Sequence, residues 1–376
     1  LYNFPFMFLN LRSGLLSLDP SMVEASRSLG RGPIQTWLRV QAPMLRPAIL
    51  SGALIIGLYV LGDFGVVSLM RFETFSYAIF LQYTAAFDRV YAAWLCLMLL
   101  VLTLGALGAD YWLVGRRASL TSSRTVRSIR SPNKFALFLA ALSSALVLLA
   151  ALAVPLATLF YWVKSSTVVW DKLWLGLGHT LMASLPATAI ALILAIPLAV
   201  LGTRYPSKLS QLGERVAYLG YATPGLALGL GFIFVALALL PGWHQTLQLL
   251  VLAYVIHFLG QCIGPIRARL AAAPPKLEEA SHALGVGRWQ TLKQITLPIL
   301  RPGLGAAAAF VFLSTIRELP LSILLSPLDY QTLAVRVYGF TAEAMYGEAA
   351  QYALLMIAMA FVVVVLLFWR FGEADT

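Results

Sequence analysis

Residues Glu279–Pro302 read EASHALGVGRWQTLKQITLPILRP, the longest polar interruption in the apolar second half of the chain. Residues Glu24–Pro47, EASRSLGRGPIQTWLRVQAPMLRP, repeat it without a gap at an offset of 255, with 12 of 24 positions identical. The identities include Glu24/Glu279, Ala25/Ala280, Ser26/Ser281, Leu29/Leu284, Gly30/Gly285, Thr36/Thr291, Pro43/Pro298 and Pro47/Pro302. Each copy reads as two short helices with a break between them. In the second, Leu277, Ala280 and Leu284 recur at i, i+3 and i+7 on one helical face. Gly285 stops that helix, because glycine takes the left-handed conformation that closes a helix C-terminus. The next turn runs from about Arg288 to Thr296, before Pro298 removes a backbone donor. The product is an elbow with an apolar stripe and a charged rim, suited to docking into a groove on a partner. A loop lying on lipid headgroups is the alternative, but it would need amphipathicity alone and not the same Glu, Gly and Pro in both copies.

Around the elbows the chain is apolar. Of 376 residues, 60% are hydrophobic and 11% charged, and the mean hydropathy is +0.82. That composition excludes an ordinary soluble protein and defines an integral membrane protein. Complete spans are expected at about 48–69, 91–114, 135–163, 178–203, 217–240, 246–266, 303–325 and 349–370, with residues 1–11 the tail of another. Lys and Arg sort accordingly. Of 27, 21 fall in one alternating set of loops, which holds both elbows, and five in the opposite set. This bias puts the elbows in the cytoplasm, and it explains the net charge of +11 without nucleic acid. Six expected spans separate the elbows, so both copies face the same side.

Domain bounds follow: 1–115 for the first half, 116–134 for a linker, 135–370 for the second half and 371–376 for a tail. The chain opens on Leu1 with no basic-led leader, which reads as a fragment whose missing spans would lie before it. The Ser-rich, basic linker is a cytoplasmic tether or a lipid-binding segment. Gly220, Gly225, Gly229 and Gly231, with Pro224, give the span 217–240 a small-residue face and an expected kink.

Sequence motifs for chemistry are few. There is no phosphate-binding GxxxxGK[ST], HExxH, CxxC or GxSxG motif, and four histidines are scattered, so no catalytic residue, cofactor or resident metal is expected. Cys96 and Cys262 sit in apolar spans. Charges inside the expected spans are the exception: Asp63 and Glu318 match at the repeat offset, with Arg317 beside Glu318. An intramembrane charge either pairs with a neighbouring helix or lines a translocation route, and both readings stand. Tyr83/Tyr338 and Tyr91/Tyr346 also match, as interfacial anchors or as contacts for a docking protein or solute.

The elbows resemble the EAA loop of binding-protein-dependent ABC importer permeases, roughly EAAxxLGxxxxxxFxxIxLPxxxP. Glu279, Ala280, Gly285, Leu297, Pro298 and Pro302 stand at the matching places, as do Glu24, Ala25, Gly30, Pro43 and Pro47. Ser26 and Ser281 replace the second Ala. The resemblance implies an all-α polytopic fold, a tandem repeat of the six-helix MetI-like transmembrane domain with the first half truncated. It implies that Glu24, Ala25, Ser26, Leu29 and Gly30, with Glu279, Ala280, Ser281, Leu284 and Gly285, each couple to one of two cytoplasmic ABC ATPase subunits. A periplasmic or lipid-anchored solute-binding protein would deliver the solute at the bacterial inner membrane. Segments such as RELPLSILLSP, YQTLAVRVY, LYVLGDFGVVSLMRF and IFLQY are similar to the ferric-iron branch, with thiamine, polyamine, phosphonate, sulfate and molybdate permeases as near relatives. Of the other classes, a secondary transporter commonly carries inverted repeats, whereas these two copies share one orientation.

Overall fold

In the computed structural model, residues 3–16, 18–114, 134–273 and 276–371 are described, and every regular element among them is helical. In chain order these are α1 (Phe4–Leu16), α2 (Pro20–Ser28), α3 (Pro33–Thr36), α4 (Ala42–Gly62), α5 (Gly65–Leu69), α6 (Phe75–Thr84), α7 (Arg89–Val114), α8 (Lys134–Leu148) and α9 (Val154–Val163). They continue as α10 (Trp170–Arg204), α11 (Lys208–Ala222), α12 (Gly225–Leu239), α13 (Leu247–Ala272), α14 (Lys276–Ala283), α15 (Arg288–Thr291), α16 (Leu297–Ile316), α17 (Pro320–Leu325), α18 (Leu333–Ala342) and α19 (Tyr346–Phe371). Seven helical stretches are long and apolar enough to cross a bilayer, or eight if the bent pair α11–α12 counts as one. The expected linker, apart from Lys134, and residues 372–376 of the expected tail lie outside the described residues.

Three expected spans differ from what is observed. The segment 217–240 is not a kinked helix: α11 and α12 meet at 107° across Thr223 and Pro224. Proline at 224 cannot donate to the preceding turn, and it disfavours helical geometry at Thr223 (ψ 127°). The spans 48–69 and 303–325 are also broken. α4 ends at Gly62 and α16 at Ile316, each followed by a short helix, α5 or α17. Both long helices begin earlier than their hydropathy indicates, through a π turn over Trp37–Gln41 or Leu292–Thr296. A third π turn covers Leu149–Ala153. Each is followed, two residues after its end, by a proline: Pro43, Pro298 or Pro155. A proline ring crowds the carbonyl four residues back, and widening the turn by one residue relieves it.

The described chain forms two compact units, Leu1–Asp63 with Met98–Thr158, and Phe64–Leu97 with Leu159–Thr376. In the first, α1 packs on α4 at close range: a Cβ on Gly52 would lie 2.9 Å from Met7 Sδ, and one on Gly14 2.8 Å from Ala48 Cβ. Phe6 stacks on Tyr59 with ring centres 4.9 Å apart.

In the second, α10 packs on α13 and α16. Ala183, Ala187, Ala191, Ala195 and Ala199, one every four residues, are fully buried along one face of α10. Lipid tails are as apolar as leucine, so small residues hold membrane helices together by letting backbones approach. Gly220 and Gly260 do the same between α11 and α13: a Cβ on Gly220 would lie 2.4 Å from the Ile256 carbonyl oxygen, and one on Gly260 2.9 Å from that of Ala217. Gly303 sits as tightly on the Pro265 carbonyl, at 2.9 Å, between α16 and α13. Arg267 of α13 pairs with Glu214 of α11 at 3.0 Å.

Candidate functional site

Both elbows close their first helix in the same way. Gly30 has φ +79° and Gly285 φ +76°. Gly30 N–H donates to the Arg27 carbonyl (2.9 Å) and Arg31 N–H to that of Ser26 (3.3 Å). In the second elbow Gly285 N–H donates to His282 (3.0 Å) and Val286 N–H to Ser281 (3.1 Å). These are the paired bonds of the Schellman motif, which needs a left-handed residue after the helix end. Asp19 caps the start of α2 by accepting the Ser21 N–H at 2.9 Å, and that bond holds its carboxyl below the ordinary carboxylate range.

A buried hydroxyl pair then ties each elbow's two helices together. Ser26 Oγ lies 3.1 Å from Thr36 Oγ1, and Ser281 Oγ lies 2.9 Å from Thr291 Oγ1. Sequence reasoning took the serines as mild substitutions for alanine and assigned the threonines nothing. The signal was present, since Ser and Thr recur ten residues apart in both copies.

The face pointing inward is therefore polar, and the apolar stripe points outward. Leu29 is 78% exposed and Leu284 83%, and Met22, Ala25, Leu277 and Ala280 on the same stripes are exposed too. Ile34, at 73%, and Trp289, at 76%, occupy equivalent positions beyond the breaks. Glu24 and Glu279 are exposed at the rim. Each elbow thus presents unburied leucines flanked by carboxylates.

The second elbow has one further attachment. Glu278 Oε1 lies 3.5 Å from Arg204 Nη2 at the end of α10, and it accepts from Thr296 Oγ1 at 3.4 Å. Arg204 Nη2 also donates to the Ala273 carbonyl at 3.0 Å.

The candidate pathway residues stand at the helix breaks, not within continuous spans. Asp63 is the half-buried C-cap of α4, with extended backbone (ψ 129°). Arg317 is the exposed C-cap of α16, and Glu318 follows it, half-buried. Glu318 accepts the Leu321 N–H at 3.2 Å, satisfying a donor at the start of α17. Its backbone carbonyl accepts the Ser322 hydroxyl, which also pairs with the buried Tyr254 hydroxyl of α13. Oε1 of Glu318 would lie 3.0 Å from a Cβ placed on Gly225, so the break in α16–α17 rests on the break in α11–α12. Of the matched tyrosines, Tyr338 packs on the buried Phe64 (5.7 Å), Tyr346 on Trp162 (5.2 Å), and Tyr91 is exposed. Among the described residues, no group of three or more His, Cys, Asp and Glu is placed to hold a metal ion.

Long apolar helices, broken helices set against one another and an exposed elbow made twice mark a multi-pass membrane protein. The chain belongs to the family of binding-protein-dependent transport system inner membrane components, whose model matches residues 1–117 and 190–371. It is 29% identical over 377 residues to the Fe(3+)-transport system permease protein FbpB 2 of Haemophilus influenzae, covering 98% of this chain and 74% of that one. It is 23% identical over 397 residues to the ferric transport system permease protein FbpB of Actinobacillus pleuropneumoniae, covering 98% and 57%. A solved MetNI methionine ABC transporter chain superposes with TM-score 0.43 and 18% identity, covering 54% of this chain and 94% of that one. The protein is thus a permease component of an ABC importer in the inner membrane.

Proposed function

We propose that the chain passes ferric iron from a periplasmic or lipid-anchored binding protein across the inner membrane. Two cytoplasmic ATPase subunits, one seated on each elbow at 24–30 and 279–285, would drive the alternation between outward-facing and inward-facing states. The observation that carries the coupling role is the outward apolar stripe ending in a left-handed glycine, made twice from one sequence pattern. The iron assignment draws its support from similarity along 98% of the chain to a protein described as an Fe(3+) permease. Asp63 and Glu318, at the breaks in α4–α5 and α16–α17, each offer a carboxylate, the kind of oxygen donor that a hard trivalent cation prefers. Carboxylates also suit a polyamine, so similarity and not ligand chemistry makes the choice.

The experiment is uptake by cells carrying the complete importer. Radiolabelled ferric iron should enter only with both the ATPase and the binding protein present, and gallium(III) should compete. Asp63→Asn and Glu318→Gln should each reduce uptake with the ATPase still bound. Equal uptake without the permease, or import of phosphonate or thiamine instead, would contradict the iron reading.

A further inference from the structure

α10 is held by other elements of its own unit near both ends. At the cytoplasmic end Arg204 holds Glu278 of the elbow and the Ala273 carbonyl. Towards its other end His179 and Thr180 hold Tyr330, Gln331 and Leu333, where the segment 326–332 from α17 enters α18. There the Gln331 N–H lies 3.2 Å from His179 Nδ1, and the Leu333 N–H donates to Thr180 Oγ1 at 2.9 Å. The Tyr330 hydroxyl donates to the His179 carbonyl, and the two rings stack 4.3 Å apart. Between Thr180 and Arg204 the helix is unbroken, and its buried alanine ladder seats it on its neighbours. At about 1.5 Å per residue that length is roughly 36 Å, more than the hydrocarbon core of a bilayer.

We propose that α10 relays displacement of the second elbow to the outer segment 326–332, with Arg204 and Glu278 as the cytoplasmic joint. This rests on the reading of the elbow as the ATPase seat and adds the element that carries its motion. The joint is half-buried, its side chains being 10% and 24% exposed. Parting this part-buried pair would leave each of its largely covered charges uncompensated, so movement of one side is resisted by the other. Packed helices joined in this way are the contiguous elements through which distant sites couple. The segment it reaches follows directly on α17, the helix that Glu318 caps, so the relay ends beside the intramembrane break. The joint belongs to one half only: Val23 occupies the place of Glu278 in the first elbow, and valine has no carboxylate to offer an arginine.

The test uses the complete importer in lipid nanodiscs, with Cys96 and Cys262 replaced and spin labels at Leu328 and Leu239. ATP trapping should shift the separation of the labels in the otherwise unsubstituted protein. Glu278→Gln should keep the ATPase bound while losing at least half of the shift, with uptake down about fivefold. The reversal, Arg204→Glu with Glu278→Arg, should regain at least half of both. An undiminished shift in Glu278→Gln, no shift in the unsubstituted protein, a loss that reversal leaves untouched, or release of the ATPase by Glu278→Gln would each overturn the proposal. Failure of the underlying reading looks different: Leu284→Asp would still retain the ATPase, whatever Glu278→Gln did.

Discussion

The two elbows share half of their residues, a Schellman turn and a buried Ser–Thr pair, yet they differ in how they are anchored and in what they present. The first offers Leu29 and Ile34 and has Val23 on its inner side. The second offers Leu284 and Trp289 and is tied through Glu278 to Arg204. The copies share the groups that shape the bend and the exposed Glu, Ala and Leu of the first helix, and they differ at Ile34/Trp289 beyond the break and at Val23/Glu278. If both elbows seat an ATPase subunit as proposed, these two differences should give the seats one geometry and unequal grip.

The largest expected effect tests the shared part. Gly30→Val and Gly285→Val force a β-branched residue into the left-handed region, at a cost of about 1–2 kcal/mol or more at each turn. Co-purification of the ATPase should fall at least tenfold for either variant, with membrane insertion retained. Retained ATPase in both would mean that the turn is not needed for docking. An intermediate effect tests the unequal grip. Trp289→Ala should weaken ATPase binding by about 2 kcal/mol and Ile34→Ala by about 1 kcal/mol, because large aromatic anchors dominate interfaces. Titration of the detergent-solubilised permease with ATPase reads the difference, and equal losses would remove the distinction.

The smallest effect lies in the hydroxyl pairs. Thr291 Oγ1 also donates to the Gly287 carbonyl at 3.2 Å, so it retains a partner when Ser281 is removed. Ser281→Ala should therefore cost about 0.5 kcal/mol and Ser26→Ala about 1 kcal/mol, measured as thermal stability of the purified permease. The opposite order would show that the second pair carries more of the bend than the first.

Much of this was legible in the sequence because a repeat at fixed offset constrains both copies at once. The left-handed glycines and the family followed from residues 24–47 and 279–302, and the multi-pass architecture from composition and the apolar spans. The helix breaks were not legible. Hydropathy runs on through Asp63 and through Arg317–Pro320, and a single charge in an apolar run reads as a buried group, not as the cap of a new helix. Pro224 announced a bend but not its angle, which depends on Gly225 letting the Glu318 carboxylate close beside it. The direction of the elbow's stripe was also hidden. Periodicity groups Leu277, Ala280 and Leu284 on one face without saying whether that face meets the body or a partner. Glu278 and Arg204 lie 74 residues apart, a separation over which no local pattern operates.

The central claim, that the duplicated elbows are the seats of the ATPase, is tested most directly by cross-linking in inverted inner-membrane vesicles. Single cysteines at Leu29 and Leu284, in a protein lacking Cys96 and Cys262, are treated with a short bifunctional reagent while the assembled importer turns over. Both positions should link to the ATPase subunit, and the yield should change when ATP is trapped. Vesicles in which neither position reaches the ATPase at any stage of turnover would contradict the claim.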